Sequence, residues 1–440
     1  MQKVNVCAML HRGKTHVARR RVFYIPGYDP YPPRRYRELY RRESRSQADI
    51  SGYKIDQKSE RSDTGWHVRA EIEGHQVQSK VEVLIWHDLV QSSMKAGIPS
   101  TYLALLKTSW IYLSTGTFRR LSWLAKGPVL AALYPIAMLL AQLALAVLAG
   151  SMLGGAAAFL VVDGAAFLMG LVGLTSNTGS FFWSLISGAV FWAVFLPLTL
   201  IVLRFFKAHD DKTFAYYLMH DYAYTAKRRG AYPDEIEARL VEFRHRIEAA
   251  LREGVDEVLI VGHSSGAQLA VSVVADIVRS ARFQEHDTEL SLLTLGQVIP
   301  MLSFLPEARR LRRDLRLLST AEDITWLDVS APGDGCSFAL SDPVSVSGVA
   351  PKTGQKWPIV ISAAFSKTLS PELRAKLKYH YLRLHFQYLC AFDRPSDYDY
   401  FKITAGPQTL AQRFAGRRSS QNRIDVPASR FTSTLSSSTQ

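Results

Sequence analysis

Apolar positions along this chain follow two patterns. In the first, short apolar runs are separated by segments with helical spacing. Arg21-Val22-Phe23-Tyr24-Ile25 closes on Pro26-Gly27-Tyr28-Asp29-Pro30, and residues 65–72 and 79–86 alternate or run apolar. Later runs are Val258-Leu259-Ile260-Val261, Leu290 to Leu295, Ile324 to Val329 and Pro358 to Ser362. Short runs of this length, rich in β-branched residues and bounded by Gly, Pro or Asp, read as strands. Between them, Arg34 to Ser46 is a basic helix with Tyr36 and Tyr40 four apart, and Asp234 to Glu253 places Ile236, Leu240, Phe243, Ile247 and Leu251 on one face. Gln268–Ala281 and Leu373–Leu389 also read as helical. Strands alternating with helices predict an α/β fold, with a mostly parallel sheet and helices on both faces.

The second pattern is a long apolar block. Between Lys126 and Arg204 the only charged residue is Asp163. Such a block is too long and too apolar for a helix of a soluble domain. One span is predicted at 129–150 and a second at 181–203, with Phe181 and Trp183 at one interface and Arg204 and Lys207 at the other. Ser151 to Ser180 is Gly/Ala-rich and broken by Asp163 and by Thr175-Ser176-Asn177-Thr178-Gly179, so it reads either as a third span or as an apolar connection. If the sequence on both sides of the block builds one domain, the number of spans must be even, and two is the simplest count. Arg119, Arg120 and Lys126 precede the block, Arg204, Lys207 and Lys212 follow it, and 151–180 has no Lys or Arg. The positive-inside rule then puts both flanks in the cytoplasm. Pro99 to Leu124, with Trp110, Tyr112 and Trp123, is expected to lie along the interface before the first span.

Composition adds less. A formal charge of +14 admits nucleic acid or an anionic membrane as partner. The basic residues gather near the membrane flanks and no nucleic-acid motif is present, so membrane lipids are the expected partner. Cys7, Cys336 and Cys390 are odd in number and far apart, so neither a disulfide framework nor a metal site is expected. The stretch 301–318 carries Arg309, Arg310, Arg312, Arg313 and Arg316 among leucines; it reads equally as a cap near the bilayer or as a solvated helix packed by one face. From Gly416 the tail is Arg/Ser/Thr-rich and is expected to be disordered.

The chemistry concentrates at Gly262-His263-Ser264-Ser265-Gly266, between an apolar strand and a helix. Strand, tight turn and helix are the setting of a G-x-S-x-G nucleophile elbow. A serine hydroxyl needs a base to take its proton and a third group to orient that base. The expected chain order is Ser, then an acid after a later strand, then His near the C-terminus. Asp334, in Ala331-Pro332-Gly333-Asp334-Gly335, is favoured over Asp342, and Asp328 lies inside a strand. His385 is favoured over His380, and His263 beside the nucleophile reads as structural. Oxyanion donors are expected from the Ser265 N–H, at a helix N-terminus, and from the Tyr28 N–H after an earlier strand.

On these residues the chain resembles the α/β-hydrolase superfamily, most nearly a bacterial membrane-anchored lipase or esterase. Residues 21–90 and 230–400 carry the resemblance, with the spans as an insertion. Pro26-Gly27 stands where His-Gly is more usual before the oxyanion loop. The resemblance implies cofactor-free acyl transfer to water by a Ser264–His385–Asp334 triad on an ester or thioester. The implied layout is a basic segment (1–20), a first part of the hydrolase domain (21–98), an interfacial helix with a transmembrane hairpin (99–207), a second part (208–415) and a tail (416–440). It places a multi-pass protein in the plasma membrane with its catalytic domain in the cytoplasm. Two other classes compete with it. One is a hydrolase-like membrane protein used only for binding or scaffolding. The other is a transporter, for which Asp163 is the sole foothold.

Overall fold

The computed structural model describes residues 16–60, 64–95, 97–173, 181–280 and 287–435. Cys7 and the 175–179 break lie outside them. The chain divides into two units, one drawn from segments 1–93, 110–131 and 225–440, the other from 94–109 and 132–224.

The first unit is α/β. Its eight strands are β1 (Arg19–Ile25), β2 (Lys54–Ser59), β3 (Gly65–Ile72), β4 (His75–Val83), β5 (Glu257–His263), β6 (Glu289–Leu295), β7 (Ile324–Ser330) and β8 (Ile359–Ser362). They form one sheet in the order β2-β3-β4-β1-β5-β6-β7-β8. Only β3 runs against its neighbours, joined to β4 by the Glu73-Gly74 turn, in which both residues have positive φ. The central strands are largely apolar because both their faces are covered; all of β5 is buried. On one face Leu259, Val261, Leu293, Leu295, Leu327 and Val329 share a core with Tyr36, Tyr40, Tyr388 and Phe401. Side chains alternate along a strand, so Val258 and Ile260 point to the other face, where helices Asp234–Leu251 and Gly266–Ser280 pack on β5.

β1 and β5 are the pair that ties the chain together. They are neighbours in the sheet, yet 232 positions separate Ile25 from Glu257. A buried ion pair, Arg20 Nε to Glu257 Oε2 at 2.5 Å, joins them. The same two residues also hold the C-terminal helices, since Arg20 donates to the Gly406 and Gln408 carbonyls and Glu257 accepts from Leu410 N–H.

The basic stretch takes the second of its two readings, a helix packed by one face, and not the first. Helix Arg309–Thr320 packs on helix Gly266–Ser280, where Arg310 pairs with Glu237 and Asp276. Arg312 is fully buried and donates to the carbonyls of Ser303, Leu305, Pro306 and Ser433. The tail, expected to be disordered, is not loose from Gly416. Ser420 N–H bonds Val360 O, Ile424 bridges Ser341, and Ala428 is fully buried with its N–H on Val346 O. Backbone groups and one buried guanidinium make these contacts, which a polar composition does not reveal.

The second unit is helical. Helix Lys126–Leu171 runs for 46 residues and Phe181–Ala208 for 28, with mean hydropathies of 2.2 and 2.3. At 1.5 Å per residue they measure about 69 and 42 Å, against a hydrocarbon core of about 30 Å. Both are long and apolar enough to cross a bilayer. The first continues through 151–171, where a separate connection was expected; its glycines are tolerated in an apolar helix and it has no proline after Pro135. Small residues bring the two helices together. A Cβ on Gly150 would lie 2.5 Å from Thr199 Oγ1, and one on Gly154 would lie 3.0 Å from Phe191 O. That is close backbone approach through a small-xxx-small stripe. Leu105 and Leu139 pack with Ala215, Tyr216 and Met219 of helix Ala215–Ala226. The expected interfacial helix is two helices, Ile98–Ser114 and Thr117–Leu124, broken at Gly116, whose φ is 71°.

Candidate active site

After β1 the chain crosses to the edge strand β2 and returns through β3 to β4 on one side of the sheet, and after β5 it moves outward to β8 on the other, so the connections from β1 and β5 leave in opposite directions. Loops at such a switch point part and leave a crevice at the carboxyl ends of the strands. Ser264 follows β5, and the Pro26-Gly27-Tyr28 loop follows β1.

Ser264 has φ 57°, a left-handed conformation that costs a non-glycine residue about 1–2 kcal/mol. Three neighbours hold it there. Its N–H donates to Leu295 O at 2.9 Å. Gly262 lets helix Gly266–Ser280 approach, since a Cβ on it would lie 2.6 Å from the Ala270 Cβ. Gly266 lies against the Ile25 and Pro26 carbonyls, where no Cβ fits. Gly27 closes the site from the β1 side; a Cβ there would lie 3.0 Å from Ser264 Cβ and 3.4 Å from its Oγ.

The predicted acid and base are brought together. His385 Nδ1 and Asp334 Oδ2 are 2.7 Å apart, and both side chains are buried. Asp334 sits past the end of β7, and its carboxylate also accepts from Tyr388 O–H at 2.9 Å and from Cys336 N–H at 3.0 Å. Burial pushes the Asp334 carboxyl up, but the His385 charge and hydrogen bond, with the Cys336 N–H and the Ser337 hydroxyl, outweigh it and hold it below the usual range. An ionised Asp334 fixes the proton on Nδ1 and leaves Nε2 as the basic nitrogen. His385 Nε2 is buried and has no hydrogen-bond partner among the described residues. Glycine is required at Gly296, φ 51°, between the nucleophile and this pair; a Cβ there would lie 2.7 Å from the Tyr388 ring and 3.1 Å from His385 Cε1.

Tyr388 escaped the sequence reading. Its hydroxyl accepts from Ala331 N–H and donates to Asp334, which fixes the acid to the end of β7. The available signal was its spacing, three residues after His385 on a helical turn. His263 is structural, as read, but with a definite task. Its Nε2 is 3.0 Å from the His385 carbonyl oxygen and the two rings are 4.8 Å apart. Burial first, then the nearby His385, push its pKa down to about 3, so the ring is neutral and its Nε2–H donates.

The other candidates lie elsewhere. Asp342 caps the short helix Pro343–Val346, with Oδ1 accepting from Val344 and Ser345 N–H and Oδ2 from Gln355 Nε2. Asp328 is buried inside β7 against Thr294 Oγ1 at 2.6 Å. His380 is exposed. One expectation needs correction. Tyr28 N–H is adjacent to the nucleophile but is not free: it donates to Ser265 Oγ at 2.8 Å, because that side chain turns back from the helix start onto the β1 loop. The Ser265 N–H stands at the start of helix Gly266–Ser280, where the helix dipole favours negative charge.

Asp334, Cys336 and His385 offer ligand atoms within 4.8 Å of one another. Burial, then the Asp334 charge, push the Cys336 thiol far up, and His385 Nδ1 is already bonded to Asp334. The trio therefore suits a hydrogen-bonded acid–base pair better than a set of metal ligands.

Compared with known proteins, the chain matches no family model, no curated sequence and no solved structure.

Proposed function

We propose that this chain is a membrane-anchored serine hydrolase of α/β-hydrolase type, acting on an ester or thioester of a lipid or acyl compound. One observation carries the reading. A serine in a left-handed turn between strand and helix stands at the switch point of the sheet, and its neighbour His263 bonds the His385 of a buried His385–Asp334 pair. Ser264 Oγ attacks the carbonyl carbon while His385 Nε2 takes its proton. The oxyanion is held by the Ser265 N–H and, once the Ser265 hydroxyl swings away, by the Tyr28 N–H. His385 then protonates the departing alcohol or thiol. Water attacks the acyl-enzyme with His385 as base, which frees Ser264. The two apolar helices support a membrane anchor, and the basic flanks support a cytoplasmic catalytic domain.

A second reading, a hydrolase-like binding protein without catalysis, is favoured by the lack of a hydrogen bond between Ser264 Oγ and His385 Nε2 among the described residues. In free enzymes that contact is often long and tightens when substrate binds. A fluorophosphonate probe separates the two. The hydrolase reading expects labelling of the wild-type protein and none of Ser264→Ala. Folded wild-type protein that stays unlabelled establishes the binding protein.

A further inference from the structure

The segment leading into His385 carries a run of exposed cations. From Pro371 to Leu384 it carries Arg374, Lys376, Lys378 and Arg383 against a single acid, Glu372. All four cations are exposed, and none pairs with a carboxylate among the described residues. In the helix Arg309–Thr320, by contrast, Arg309 pairs with Glu307 and Arg310 with Glu237 and Asp276. Two aromatic rings stand out beside the cations: Tyr379 is 72% exposed and Tyr381 59%. Only Leu377 in this stretch is buried, pinning it from below. The rim continues across the site. Arg35, from the helix after the β1 loop, lies over the Phe386 ring at 5.1 Å and over the exposed Tyr31 ring at 4.8 Å.

Exposed tyrosines interleaved with unpaired Lys and Arg suit one environment above others, the headgroup layer of an anionic bilayer. Tyr rings settle at that depth and cations there are attracted by the surface potential. A soluble substrate requires no such protruding rim. We propose that 371–384 docks on an anionic membrane surface and presents the mouth of the Ser264–His385 site to lipid. The role of that mouth rests on the hydrolase reading; the docking itself does not.

The test uses full-length protein in nanodiscs of phosphatidylcholine alone or with phosphatidylglycerol, read by hydrogen–deuterium exchange of 371–384. Exchange is expected to slow at least tenfold when phosphatidylglycerol is present. Lys376→Gln with Lys378→Gln should abolish most of that slowing while leaving fluorophosphonate labelling of Ser264 unchanged. The rate of lipid-ester cleavage in anionic discs should fall about tenfold in the same variant, and cleavage of a short soluble ester should not change. Identical exchange in the two discs overturns the proposal, as does equal slowing in neutral discs on adding glycerol phosphate, which marks a small-anion site instead. Protection of 371–384 in a protein that resists the serine probe leaves docking standing and removes the hydrolase.

Discussion

Replacing Asp334 with Asn changes one oxygen to NH2 and should cost nearly all turnover. The carboxylate receives His385 Nδ1 and Tyr388 O–H on Oδ2 and Cys336 N–H on Oδ1. An amide has only one acceptor oxygen. If that oxygen faces Cys336, the NH2 meets His385, which must move its proton to Nε2 and so cannot act as base. If the amide flips, its NH2 opposes the Cys336 N–H in a buried site, and an unmet donor there costs about 1–3 kcal/mol. The first arrangement costs less, so the wrong tautomer prevails. Where the orienting carboxylate of a triad becomes an amide, kcat falls about 10⁴-fold, equivalent to about 5.5 kcal/mol. The expected result is a loss of 10³–10⁴ in the rate of fluorophosphonate labelling, measured by time course, with the thermal midpoint close to wild type. Asp342→Asn is the control. Asn caps a helix N-terminus about as well as Asp, so this variant should fold and label at the wild-type rate. If Asp334→Asn labels within tenfold of wild type, Asp334 does not orient the base.

His263→Phe removes the donor to the His385 carbonyl, and labelling should slow by about tenfold (about 1.4 kcal/mol); His263→Gln, which keeps an N–H, should recover part of that rate. Asp328→Asn tests a buried acid. Burial first, opposed by the Thr294 hydrogen bond and aided by the Asp342 charge, pushes Asp328 up to about 8. The folded chain therefore keeps a proton that the unfolded chain releases, and stability falls as pH rises from about 4 to 8. Asp328→Asn should raise the thermal midpoint at pH 7.5 and leave it unchanged at pH 4; an equal shift at both values argues against the raised acid. Gly296→Ala forces a methyl onto the Tyr388 ring at a positive φ and should lower both labelling and stability, the latter by about 2–4 kcal/mol in chemical denaturation. Truncation after Ala415 strips Arg312 of its Ser433 contact and uncovers Val346; a melting curve equal to wild type would show that the tail only rests on the surface.

Much of this arrangement was legible in the sequence because the central strands are buried on both faces. Val258 to Val261 and Leu290 to Leu295 have no alternative to the sheet interior, and their ends place Ser264 and Gly296. β2 was missed for the opposite reason: Lys54 to Ser59 is a polar edge strand in which only Ile55 and Gln57 are even partly covered. The preference for Asp334 over Asp342 came from its place just past a strand end, and the structure puts His385 on the former. The Tyr388–Asp334 and Tyr28–Ser265 contacts were invisible because each depends on a tertiary approach between segments far apart in sequence. The tail was misjudged and the arginine helix left undecided because composition cannot say whether a guanidinium meets water or four carbonyls.

The adjacency of β1 and β5 also sets a schedule for synthesis. β1 emerges early, with β4 on one flank and its other edge open until β5 follows more than two hundred residues later. At roughly 5–20 residues per second, that edge waits for about 12–46 s. During this interval both long apolar helices leave the ribosome, so the insertion machinery meets them before the sheet can close. On the proposed reading, catalytic competence would come later still, because His385 is made after Ser264 and Asp334. A nascent chain stalled or misrouted at the apolar block would present an unpaired strand edge to chaperones and proteases.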